Sequence, residues 1–394
     1  MSGVAKKMRA FAENSSWIRK MFEEGARMKA EFGADKVFDF SIGNPDVPPP
    51  AKFYTVLREL AQNEQPGIHG YMPNAGYPET REAVAGYLSA EHRVSMSLNE
   101  VVMTCGAGGA LNVVLKTLLD PGDEVIIIAP YFVEYLFYVS NHGGRSVTVS
   151  SHNDFSLDLQ AIAGALSART KCLILNSPNN PTGRVYDEGS VRGLGELLDR
   201  AGKEMGTTIY LISDEPYGKI VYDGKGVPSV FRAYGQSIIC SSYSKELSIP
   251  GERIGYIAVN PTAEPLRDLV DGLVFCNRTL GFVNAPALMQ RVIRHLQGVC
   301  VDVEAYRRRR DLLCDNLASF GYRFVKPEGA FYLFPETPID DVAFVRALQE
   351  KNILTVPGRG FGAPGFFRIA YCVEEEVIER SLEGFRQVAE RYRE

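Results

Sequence analysis

The chain has 394 residues, 45% of them hydrophobic and 23% charged, a composition that suits a globular protein of two or three domains with a large core. Its net charge of −5 and pI near 5.7 argue against a nucleic-acid surface, and no apolar run approaches the roughly 18 residues needed to span a membrane. The seven cysteines are scattered without a Cys-x-x-Cys pair and the five histidines show no metal-ligand spacing, so reduced thiols, a cytoplasmic location and no catalytic metal are expected.

Met1 to Met21 carries scattered charges and lacks the apolar core of a signal peptide. Residues 15–32 read as an amphipathic helix with Trp17, Ile18, Met21 and Phe22 on one side. Phe38 to Ile42 reads as a short strand ending in the turn Gly43-Asn44-Pro45-Asp46, and Pro48-Pro49-Pro50 then stiffens the chain where a domain crossing is expected. From about residue 99 short apolar runs alternate with helical patterns. Val101 to Thr104 is strand-like, Gly106-Ala107-Gly108-Gly109 is a turn, and a helix follows over about Ala110 to Leu119. Glu124 to Ala129, Cys172 to Asn176, Ile209 to Ser213 and Ser237 to Cys240 are further strand-like runs. This alternation predicts an α/β sheet of mostly parallel strands covered by helices on both faces.

After about residue 280 the pattern changes. Helices are expected over roughly 283–297 and 300–319, strands at Tyr322 to Val325 and Phe331 to Phe334. A final helix carries Val377, Ile378, Leu382, Phe385 and Val388 at helical spacing. The basic run Arg307 to Arg310 reads as a solvated helix face. The expected organisation is a large α/β domain over 46–280 and a smaller α+β domain built from 1–45 and 281–394.

The most informative stretch is Ser242-Tyr243-Ser244-Lys245, followed by Arg253. A lysine amine forms an imine with an aldehyde, and two hydroxyls with an arginine suit a phosphate beside it. An aldehyde and a phosphate on one small molecule suggest pyridoxal phosphate. Its ring nitrogen would need a carboxylate, and Asp214 ends a strand, where α/β folds bind ligands. Tyr217 and Asn180 could donate to the ring oxygen, and the backbone of Gly106-Ala107-Gly108 could approach the phosphate at a helix start. Phe132 could stack on the ring, and Arg368, in an apolar strand, could grip a substrate carboxylate. Each residue has a plainer reading too: a turn-capping aspartate, a β-turn at Asn-Pro-Thr-Gly, a core phenylalanine, an internal salt bridge. A nucleotide site at the Gly106 loop lacks Gly-x-x-x-x-Gly-Lys-Ser/Thr and a full Gly-x-Gly-x-x-Gly.

Taken in order, these motifs resemble the class I/II aminotransferases, enzymes of fold type I that use pyridoxal phosphate, and the resemblance runs from Gly43 to Arg368. It implies that Lys245 carries the cofactor and shuttles the proton, that Asp214 pairs with the ring nitrogen, and that Asn180 and Tyr217 hold the ring oxygen. It also implies that Ser242, Ser244, Arg253, Ala107 and Gly108 hold the phosphate, and that Phe132 stacks where relatives usually carry Tyr or Trp. Arg368, helped by Gly43 and Asn180, takes the substrate carboxylate. Tyr71 matches a tyrosine that reaches the neighbouring subunit's phosphate, so a homodimer is implied, with amino acids and 2-oxo acids as the small-molecule substrates. A carbon–sulfur β-lyase on the same fold is the alternative reaction. The family suggests 2-oxoglutarate as one partner in the exchange, and aspartate is the donor we expect. Arg278 and Arg359 are the candidates for a second substrate carboxylate, each equally readable as a surface or interdomain arginine.

Overall fold

The computed structural model describes residues 3–13, 17–62 and 66–392. Among them the strands in chain order are β1 (Phe38–Asp39), β2 (Val101–Thr104), β3 (Glu124–Ala129), β4 (Arg145–Ser150), β5 (Thr170–Asn176) and β6 (Tyr210–Asp214). They continue with β7 (Ser237–Ser242), β8 (Gly255–Val259), β9 (Tyr332–Leu333), β10 (Ile353–Leu354), β11 (Val356–Pro357) and β12 (Phe367–Ala370). Seven strands form the central sheet in the order β2-β8-β7-β6-β5-β3-β4. All neighbours pair in parallel except β8, which runs antiparallel to both β2 and β7. The mostly parallel α/β expectation therefore holds.

Strand side chains alternate between faces, and here both faces are buried. Ile126, Leu173, Leu211 and Ile239 join one apolar cluster, whereas Val125, Ile127, Ile174, Ile212 and Ile238 join another on the opposite side. The helices Pro78–His92 and Glu188–Met205 cover the first face; Gly106–Leu118, Glu134–Asn141 and Leu266–Thr279 cover the second. A third cluster gathers Phe331, Phe334, Phe344, Phe361, Phe367 and Phe385 around the three-stranded sheet β11-β12-β9 and the final helix Glu375–Arg391. Among the described residues no helix is long and apolar enough to cross a membrane.

Several local expectations need correction. The helix after β2 begins at Gly106, not near Ala110, because the glycine-rich turn is itself the first helical turn. The strand at Phe38 stops at Asp39, whose carboxylate accepts the Ser41 N–H and hydroxyl and turns the chain. The helix expected over 283–297 is only Ala287–Ile293, since Pro286 supplies its start. Tyr322 to Val325 forms no strand; Tyr322 instead packs on Phe344, Phe367 and Phe385. Of the helix expected over 15–32, Trp17–Phe32 is present, while residues 15 and 16 lie outside the described residues.

The basic run is only half solvated. Arg308 is exposed, but Arg309 and Arg310 are buried, at 9% and 1% exposure. Arg309 pairs with Asp46 at 2.7 Å, and Arg310 meets Asp223 at 2.6 Å and Asp311 at 2.8 Å while donating to the Pro327 carbonyl. The Arg310 guanidinium is tolerated in the interior because its Nε, Nη1 and Nη2 each find an acceptor. Arg310→Leu should therefore cost about 1–3 kcal/mol in urea unfolding, whereas Arg308→Ala should stay within about 0.5 kcal/mol of the wild type.

Candidate active site

The C-terminal ends of β5, β6 and β7 open onto one cavity of about 290 Å³. Ligands bind outside these ends in open α/β sheets, because that is where loops and helix N-termini converge. Asn176 and Asp214 are register partners at the tips of β5 and β6, and the Asn176 amide donates to the Asp214 carbonyl at 2.8 Å. β7 ends at Ser242, which places Ser242, Ser244 and Lys245 on the cavity wall.

Lys245 Nζ donates to the Gly43 carbonyl at 2.8 Å and lies 5.6 Å from the Phe331 ring centre. Burial lowers its pKa to about 8, and the charges of Arg368 and Arg253 add to that. Asp214 is 5% exposed; its Oδ2 accepts the Tyr135 hydroxyl at 2.5 Å, but its Oδ1 is buried with no partner. Burial raises its pKa to about 7, against the lowering effect of the Tyr135 hydrogen bond. A buried carboxylate oxygen without a donor is costly unless a ligand supplies one.

Arg253 adopts a left-handed backbone conformation (φ 51°), which turns its side chain back toward Gly106. Its guanidinium donates to the Pro250 carbonyl at 2.8 Å, and a Cβ on Gly106 would lie 2.8 Å from Nη2. Glycine is needed there, at φ 74°, so that the arginine and the start of the helix Gly106–Leu118 can face the same space. Helix-terminal N–H groups at Ala107 and Gly108, two serine hydroxyls and a guanidinium form a cradle for a dianion.

Arg368 is 2% exposed and no carboxylate pairs with it among the described residues. It donates to the Ser41 carbonyl at 2.6 Å and to Asn180 Oδ1 at 3.0 Å, between the rings of Tyr332 and Phe361, while Nε has no partner. The internal salt bridge that its position left open is thus absent. Asn180 is held by its own N–H bonding to Asn176 Oδ1 at 2.7 Å. Phe132 and Tyr217 also line the cavity, as does Gly43.

Three sequence candidates lie elsewhere. Tyr71 is 94% exposed and off the wall of its own chain's cavity. Arg278 is exposed and sits 5.4 Å from the Phe275 ring, also off that wall. Arg359 is committed to Asp340 and Asp341. Conversely, Tyr135, Tyr138, Tyr332 and Asn176 line the cavity without having been singled out. Tyr135 stands three residues after Phe132, in the first turn of the helix Glu134–Asn141, and that spacing was the available signal.

The residues present fit pyridoxal phosphate: a dianion cradle, a depressed lysine amine and a lone buried carboxylate oxygen face one cavity. Without the cofactor, Asp214 binds a proton more tightly folded (about 7) than unfolded (3.8), so its contribution to stability is present below pH 3.8 and lost as pH rises through 7. Cofactor-free Asp214→Asn should therefore be the more stable form at pH 8, by on the order of a few kcal/mol, with the gap narrowing toward pH 5. Thermal unfolding of both proteins across that range reads the difference directly.

The family model for aminotransferase class I and II matches residues 35–385. A probable aspartate aminotransferase of Methanocaldococcus jannaschii is 32% identical, with 89% of this chain and 93% of that protein covered. The aspartate/prephenate aminotransferase of Thermus thermophilus is 34% identical, with 88% and 90% covered. Among solved structures, an amino transferase from Eubacterium rectale superposes with a TM-score of 0.96 at 39% identity over 100% of both chains. Aspartate aminotransferase from Thermus thermophilus with maleate gives 0.86 at 29% identity, covering 98% and 100%. Sequence, fold type I architecture and site chemistry converge, and the chain belongs to the class I and II aminotransferase family as a pyridoxal phosphate-dependent aminotransferase.

Proposed function

We propose that this enzyme transfers the amino group of aspartate to 2-oxoglutarate, with Lys245, Asp214 and Arg368 at the centre of its site. The observation that carries the site assignment is the unpartnered Oδ1 of Asp214 in the same cavity as the Lys245 amine. The choice of aspartate follows the names of the relatives, two of which are aspartate and aspartate/prephenate aminotransferases.

When bound, pyridoxal phosphate supplies an electron sink for the electrons left when the α-proton of the amino acid departs. The chain's residues do the rest. Arg368 binds the α-carboxylate through its guanidinium, whose free Nε is available for a second bond, with Asn180 and the Gly43 backbone beside it. Lys245, with a pKa near 8, is neutral often enough near neutral pH to take the α-proton and return it one position away. Asp214 would hold the ring nitrogen through its unpartnered Oδ1 and keep it protonated, while Tyr217 and Asn180 would donate to the ring oxygen. Ser242, Ser244, Arg253 and the N–H groups of Ala107 and Gly108 anchor the phosphate, and Phe132 packs on the ring.

The homodimer belongs to this reading as well. Tyr71 and Phe275 are 94% and 57% exposed, and the Asn277 amide ties the Tyr71 loop to the helix Leu266–Thr279 at the Asn74 carbonyl. Tyr71 and Arg278 thus stand exposed on two connected segments, which favours delivery of both to a neighbouring copy's cavity. A cytoplasmic location is proposed on the unpaired state of all seven cysteines. We also propose the division into a large unit from 46 and a small unit from both termini. Ala285, Met289, Val292 and Ile293 bury in the large unit's core, which favours a second crossing after Leu296 instead of at 281.

A single-turnover reaction with a panel of amino acids tests the function. Aspartate should convert the cofactor to its amine form with one equivalent of oxaloacetate; continuous release of ammonia and pyruvate from a sulfur amino acid would make the enzyme a lyase. Lys245→Ala should abolish turnover with the fold intact by circular dichroism. Arg368→Ala should raise KM for amino acids roughly 100-fold, the loss of one buried bidentate contact of about 3 kcal/mol.

A further inference from the structure

One buried group touches several of the implied site residues without a role of its own. The Tyr332 hydroxyl lies 2.7 Å from that of Tyr217, its ring stands 4.7 Å from the Arg368 guanidinium, and a Cβ on Gly43 would collide with its oxygen. Tyr332 is 2% exposed and lines the cavity.

The proton count between the two phenols decides what this contact does. Each phenol has one proton, and only one can lie between the two oxygens. If Tyr217 donated to Tyr332, it would have none left for the cofactor's ring oxygen. If Tyr332 donates, the Tyr217 proton is free to point into the cavity. The electrostatics favour the second arrangement. The Arg368 guanidinium stands 4.7 Å from the Tyr332 ring, and a cation beside a phenol makes its O–H more acidic. The more acidic phenol is the better donor, and a phenol that accepts a hydrogen bond becomes a stronger donor itself.

We infer that Tyr332 is a positioning residue: its hydroxyl donates to Tyr217 and thereby directs the Tyr217 proton at the cofactor's ring oxygen, and its contact with Gly43 is why that position carries glycine. This rests on the cofactor reading above. A donor at the ring oxygen stabilises its anionic form and so lowers the pH at which the neighbouring lysine-linked nitrogen loses its proton. Removing the Tyr332 hydroxyl therefore raises that midpoint while leaving the ring over Arg368 in place.

The test titrates the visible absorbance of the cofactor-loaded protein for the wild type, Tyr332→Phe, Tyr217→Phe and the double variant, with KM for the amino acid measured alongside. Tyr332→Phe should raise the midpoint by about 0.3 pH unit, because Tyr217 keeps its own bond to the ring oxygen and loses only the reinforcement of the one it accepts, with KM near the wild-type value. The double variant should move no further than Tyr217→Phe alone, because Tyr332 acts through Tyr217. Additive shifts in the double variant would overturn the inference, as would an unchanged midpoint with a raised KM, which would place the hydroxyl on the substrate. Should Tyr332→Phe fail to fold, Gly43→Ala displaces the same hydroxyl and should raise the midpoint likewise; no rise overturns the inference. A wild-type protein with no visible band would instead overturn the cofactor reading itself.

Discussion

Three ionisable groups, a half-buried Lys245 and the buried Asp214 and Arg368, stand around one cavity without pairing with one another, and the rest of the structure is arranged to tolerate this. Isolated buried charge is expensive, and proteins normally relieve it by pairing or by shifting pKa values. Here relief is partial. Burial holds Lys245 near 8 and Asp214 near 7, each moved toward its neutral form. Arg368 loses basicity to burial as well and rests on a carbonyl, an amide oxygen and two aromatic rings. What remains unpaired, Asp214 Oδ1 and Arg368 Nε, is what a ring cation and a carboxylate would satisfy.

The sheet makes this possible. Parallel strands buried on both faces end together, so Asn176, Asp214 and Ser242 arrive at one level from β5, β6 and β7. The helix Gly106–Leu118 points its N-terminus at the same level, and the left-handed turn at Arg253 returns a guanidinium to it. Arg368 comes from β12 and Tyr332 from β9, which are neighbouring strands of a separate sheet. The cavity is therefore lined from both sheets. Tyr332 bridges them, because it touches Tyr217 on one side and Arg368 on the other.

Much of this was legible in the sequence. β2 and β3 have the limits that their apolar runs suggested, since a strand buried on both faces, whether antiparallel like β2 or parallel like β3, is a near-continuous apolar run bounded by turn residues. Lys245, Asp214, Asn180, Ser242, Ser244, Arg253, Phe132, Tyr217, Gly43 and Arg368 all reach one cavity, most of them because their motifs stand at or after strand ends, Arg368 from within β12. Tyr135 and Tyr332 escaped notice for a physical reason: a tyrosine in an apolar stretch looks like core, and only its hydroxyl's partner, 79 or 115 residues away, reveals a site role. Arg309 and Arg310 misled in the opposite sense, since a basic run looks solvated until distant acidic partners such as Asp46 and Asp223 are brought to it. Tyr71 and Arg278 stay outside the cavity of their own chain, so neither the sequence nor the fold of one chain assigns them a role in it.

The central claim is that Lys245 is the amine that carries the cofactor. Reduction of the cofactor-loaded protein with borohydride, followed by peptide mapping, tests it directly. The account predicts a single pyridoxyl label on the peptide containing Lys245, lost in Lys245→Ala. A label on another lysine, or a cofactor that binds and is never fixed by reduction, would contradict it.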